Sequence, residues 1–117
     1  MRLNYTKLPN FTNLTFSSGG YSANLHAAET TIIQPHEIAF VNTGITVQMP
    51  WSMAGQISGS LEMLRDSKLQ IFSNIISPED KGEVIVAVRN LNSAQIVIEA
   101  GQTIAKLRII ELGHLEE

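Results

Sequence analysis

The side chains in this sequence with the reach to do chemistry are three histidines, a scatter of carboxylates and several serines placed at turns. His26, His36 and His114 stand far apart and lack the paired spacing of metal ligands, so each reads as an ordinary turn or surface histidine. Glu62, Asp66, Glu79 and Asp80 could gather into an acidic site for a cation or a basic peptide. The simpler reading, a solvated loop edge, is preferred. Without cysteine there are neither disulfides nor thiolate metal ligands, which is compatible with a reducing cytoplasm. Two apolar features could bind a partner. Trp51 follows Pro50 on a turn and would be a good anchor if exposed, although packing on its own sheet is the simpler expectation. Leu61, Met63 and Leu64 form a second cluster, read either as core or subunit contact or as a partner-binding patch.

The elements that must position these groups are short and β-branched. Thr31-Ile32-Ile33 and Glu37-Ile38-Ala39-Phe40-Val41 read as strands, and Ile45, Val47 and Met49 alternate with Thr46 and Gln48 in the period of a half-buried strand. Glu83 to Val88 is apolar on both faces and reads as a central strand; Ile96 to Ile98 and Thr103 to Ile110 complete the set. Turns are expected at Gln34-Pro35-His36, Asn42-Thr43-Gly44, Pro50-Trp51-Ser52, Ser77-Pro78-Glu79-Asp80 and Glu99-Ala100-Gly101. One helix of about a turn is expected around Ser60 to Arg65. Many short strands with regular turns predict an all-β sandwich, jelly roll or barrel.

A chain of 117 residues fits one domain, taken as 1–110 with a short acidic tail at 111–117. Hydrophobic residues make up 44% and charged ones 16%, an ordinary globular composition. The net charge of −3 and eight scattered Lys and Arg argue against nucleic-acid binding. No apolar stretch approaches the roughly 18 residues of a membrane span, and the N-terminus lacks the apolar core of a signal peptide. A cytoplasmic location follows as the expectation, and the Asn-x-Thr sequons at Asn10 and Asn13 read as chance.

The order of these segments resembles the trimeric dUTPase family over nearly the whole chain. Ser18-Gly19-Gly20-Tyr21 is similar to the start of the family's first motif, and Thr31 to Met49, with Pro35 and Thr43-Gly44-Ile45, to the stretch that follows it. Gly55 stands where the family has a glycine before its second motif. Ile75-Ile76 and Lys81-Gly82 bracket the third motif, and Gly101 to Leu107 resembles the fourth. The resemblance implies a distorted jelly roll with at most one short helix. It also implies a homotrimer with active sites between subunits.

Hydrolysis of a nucleoside triphosphate at its α-phosphate needs an activated water, donors to the phosphates and bound Mg²⁺. At the matching positions this chain departs from the family. Ser77 replaces the third-motif Asp assigned to water activation, Asp80 replaces the Tyr on which deoxyribose packs, and Ser22 replaces the first-motif Asp. The second motif reads Gly59-Ser60-Leu61-Glu62-Met63, without its arginine and with a carboxylate added. A Glu62 carboxylate near 4 Å from a phosphate would cost about 4 kcal/mol in a surface cleft. The sequence therefore reads as a protein without catalytic residues, cofactor or metal. The expected function is a viral or phage pseudoenzyme serving as a trimeric scaffold or regulator for an unknown protein partner. The alternatives are a binder that sequesters or senses a pyrimidine nucleotide, weakly and without turnover, or a divergent hydrolase or deaminase.

Overall fold

A computed structural model describes residues 4–7, 15–16, 22–49, 51–80 and 82–111. Ser18 to Tyr21, both sequons, His114 and the tail beyond Glu111 lie outside the described residues. Strands β1 (Asn4–Lys7), β5 (Ile38–Gln48), β7 (Leu69–Ile71) and β9 (Glu83–Asn90) form one antiparallel sheet in the order β1-β5-β9-β7. A second sheet runs β2-β3-β11-β6-β8, from β2 (Thr15–Phe16), β3 (Ser22–His26), β11 (Thr103–Glu111), β6 (Met53–Ser58) and β8 (Asn74–Ile76). A small ribbon pairs β4 (Thr31–Ile33) with β10 (Ile96–Ile98), and α1 (Leu61–Asp66) joins β6 to β7.

Alternation explains the sandwich. Val84, Val86 and Val88 of β9 face inward beside Val41, Ile45 and Val47 of β5. They meet Ala23 and Leu25 of β3, Ile57 of β6 and Leu107 and Ile109 of β11 in one core. Each large apolar side chain so buried contributes about 1.5–3 kcal/mol. The opposite faces carry the polar partners of that alternation, Asn24, Gln56, Ser58, Lys106 and Arg108 among them.

The structure corrects three expectations. Asn42-Thr43-Gly44 is not a turn but a bulge inside the continuous strand β5, where pairing to β9 shifts between Asn42 and Thr46. Gly44 adopts φ 75°, a conformation costly for other residues. The backbone groups displaced there find side chains instead: Thr43 Oγ1 donates to Val84 O at 2.6 Å, and Gly44 N–H donates to Glu83 Oε2 at 2.9 Å. Glu83 to Val88 is central, between β5 and β7, but its outer positions Ile85 and Ala87 are only half-buried. Trp51, expected to pack on its own sheet, is 80% exposed because it sits at the tip of the β5–β6 turn.

Candidate functional site

Two stretches of polar and charged residues face recesses in the surface, one on each side of β6. The first is a cavity of about 330 Å³ between the end of β8, the turn that follows it and the start of β9. Asn74, Ile75, Ile76, Asp80, Gly82 and Glu83 are among the residues that line it. The turn closes on itself. Asp80 N–H donates to Ser77 O at 3.1 Å, and in return Asp80 Oδ2 accepts from Ser77 N–H at 2.7 Å and from Ser77 Oγ at 3.2 Å. A proline and two acids in four residues form such a turn because the Asp side chain reaches back to an orphan N–H.

The second recess, of about 90 Å³, lies where β11 and β3 pass the start of α1, and Asn24, Ser60, Met63, Thr103 and Lys106 line it. Ser60 caps the helix, its Oγ accepting from Met63 N–H at 3.0 Å. Register brings the cation here: Lys106 pairs with Asn24 on one side and Ser58 on the other, and Arg108 two residues on pairs with Ser22 and Gln56. Alternation then puts Lys106 and Arg108 on the same outward face.

Of the residues singled out from sequence, Ser77 and Asp80 are brought together at the cavity and Ser60 stands at the recess. Ser22 is paired with Arg108, next in the ladder to the Lys106 row. Within one protomer the cavity and the recess share no lining residue. Glu62 is exposed on the first turn of α1, and Leu61 and Leu64 are exposed beside it, 71% and 42%, while Met63 packs against the core. Leu61 and Leu64 line a third cleft, with Gly59, Leu69 and Ile71. Sequence reasoning missed Lys106 and Arg108. The signal was present as two cations at an interval of two in a strand whose other residues are apolar.

His26 Nδ1 lies 3.2 Å from Thr103 Oγ1, an ordinary cross-strand contact between β3 and β11. Among the described residues no group of three His, Asp or Glu side chains could hold a metal ion, so the Mg²⁺ that the resemblance associates with hydrolysis has no protein cage here. No step proposed below runs through it. No helix among the described residues is long and apolar enough to cross a membrane.

The architecture is that of a dUTPase-type jelly roll. The dUTPase of Staphylococcus bacteriophage 80alpha superposes with a TM-score of 0.88 at 18% identity, covering 99% of this chain and 94% of its own. The dUTPase from phage phi11 of S. aureus gives 0.89 at 16% identity, covering 100% and 94%. The dUTPase family matches residues 9–117, and the chain belongs to it. A deoxyuridine 5'-triphosphate nucleotidohydrolase of Antonospora locustae is 27% identical over 103 residues, 86% of this chain and 72% of the relative. Those of Mycobacterium marinum and Hydrogenobaculum sp. are 31% and 26% identical, covering 84% and 99% of this chain and 66% and 84% of the relatives.

These relatives overturn the expectation of a pseudoenzyme, whether scaffold, regulator or silent nucleotide binder: they carry the name of a hydrolase. The expectation failed for a physical reason. Matching positions one by one registers that Ser77 lacks a carboxylate and Ser60 lacks a guanidinium. It does not register that the Asp80 carboxylate folds back onto Ser77, or that Lys106 stands beside Ser60.

Proposed function

We propose that this chain hydrolyses dUTP to dUMP and pyrophosphate, as a homotrimer in the cytoplasm. The observation that carries this reading is the family match across residues 9–117, joined to relatives named as dUTP nucleotidohydrolases. The site supports it with two complementary parts. The cavity beside β8 has apolar walls from Val47, Ile57 and Ile75 with polar groups at its rim, which suits a planar base and its sugar. The recess beside α1 offers Lys106 and the Ser60 hydroxyl to a polyphosphate, and Lys106 offsets the Glu62 charge nearby.

Assembly would bring the two parts together. The outer face of β5 and β9 carries Ile38 and Phe40, 48% and 72% exposed, beside half-buried Ile85 and Ala87. Phe40 pairs with Ala87 and Ile38 with Arg89, so these side chains share one face of the sheet. Such a stripe, on a strand apolar on both sides, suits burial between copies around a three-fold axis. An interfacial site then joins the cavity of one subunit to the recess of another.

The test is pyrophosphate release from dUTP, dCTP and dTTP with Mg²⁺ in the buffer. Turnover of dUTP well above the no-enzyme rate and above the other two is expected. Release indistinguishable from buffer at micromolar enzyme would refute the reading.

A further inference from the structure

Breaking a phosphoanhydride with water needs a group that takes the water's proton as the new bond forms. Two carboxylates border the cavity of about 330 Å³, Asp80 and Glu83. Glu83 is committed: its Oε2 accepts the Gly44 N–H at 2.9 Å and satisfies the bulge in β5. Asp80 is held differently. Its Oδ2 takes both the N–H and the hydroxyl of Ser77, at 2.7 and 3.2 Å. Its Oδ1 makes no hydrogen bond among the described residues. One oxygen is thus an anchor, and the other is free at the edge of a cavity.

From this geometry we infer that Asp80 is the general base of the hydrolysis, with Ser77 as its positioning residue. The inference rests on the dUTP-hydrolase reading and deepens it. In the step, Asp80 Oδ1 accepts a proton from a water as the water oxygen bonds to the α-phosphorus. The bond from that phosphorus to the bridging oxygen breaks, and its electron pair leaves on pyrophosphate. The proton then passes from Asp80 to solvent. The serine at 77 supplies no base of its own; its N–H and O–H orient the carboxylate that does.

The experiment measures kcat and KM for dUTP, and affinity for α,β-imido-dUTP, on the intact assembly. Wild type is compared with Asp80→Asn, Asp80→Glu, Ser77→Ala, Ser77→Thr and Glu83→Gln, each with a thermal melt. Asn keeps a carbonyl oxygen for the Ser77 N–H, so the turn and the affinity for the analogue are expected to survive. Asp80→Asn should lower kcat by about 10²-fold or more with KM little changed. Asp80→Glu, which moves the carboxylate by one methylene, should fall between Asp80→Asn and wild type. Ser77→Ala should lower kcat less than Asp80→Asn, and Ser77→Thr should restore it. Wild-type kcat in Asp80→Asn would overturn the assignment while leaving the dUTPase reading intact, as would a loss confined to Glu83→Gln. An inactive wild type would overturn the reading and the assignment together.

Discussion

Lys106 shows how one side chain can change the electrostatic sense of a site. It lies on the central strand of its sheet, between Asn24 and Ser58, and it faces the same recess as the Ser60 hydroxyl. A hydrogen bond to a charged group contributes about 1.5–3 kcal/mol, and each 1.4 kcal/mol is about tenfold in affinity. Lys106→Ala is therefore expected to raise KM for dUTP about tenfold or more, with kcat much less affected. The variant should also lose part of the salt dependence of KM, because a screened cation has been removed. Steady-state kinetics at two ionic strengths checks both, and an unchanged KM would take Lys106 out of the phosphate site. Asn90 is the structural counterpart. It is fully buried, yet its side chain donates to Ile33 O and Ala94 O and accepts from Asn92 N–H, which ties β9 to the β4–β10 ribbon.

At the scale of elements, α1 is the piece least able to stand alone. Helices shorter than about 12–15 residues are marginal in water, and this one has six residues and buries none of them fully. Three contacts hold it: the Ser60 cap, the packing of Met63 against the core, and the close passage of Gly59 over β7. A Cβ on Gly59 would come within 2.6 Å of Ile71 Cβ and Cγ1, and neither atom is the free end of a side chain. Gly59→Ala should therefore cost about 1–3 kcal/mol, read as a lowered urea midpoint. At Gly82 a Cβ meets nothing within 4 Å, so Gly82→Ala should leave the midpoint nearly unchanged. Equal midpoints for the two variants would show that β7 and α1 give way without strain. The same element shows what is legible locally. A serine ahead of an acidic and apolar run marks a helix start in sequence, and the cap is where that pattern puts it.

At the scale of the molecule, the exposed stripe on β5 and β9 ties assembly to activity. Phe40 is the most exposed residue of that stripe, and it lies away from the cavity and the recess. Phe40→Asp would set three carboxylates against one another in a three-fold contact. Light scattering or sedimentation is expected to show trimers of wild type and monomers of the variant at micromolar concentration. Turnover should fall with the trimer if the site is interfacial. A monomeric variant with full activity would place the whole site within one subunit, and a monomeric wild type would remove the trimer altogether.

What the sequence determined by itself was local and periodic. Alternation marked most strands and their buried faces, Pro, Gly and Ser marked the reversals at 35–36, 51–52 and 77–80, and Ser60 marked the helix. Ordered motifs along the chain were enough to identify the family. Tertiary structure decided what depends on pairs distant in sequence or on the path of a side chain. The bulge at Asn42-Thr43-Gly44 is satisfied by Glu83 and the Val84 carbonyl, about forty residues away, so its local signature is that of a turn. Lys106 meets Ser60 only because β11 lies between β3 and β6. Asp80 reaches Ser77 through the curl of one turn, which places a carboxylate at a position where the sequence has a hydroxyl. A site is made of atoms in space, and position along the chain specifies them only where backbone geometry leaves a side chain one place to go.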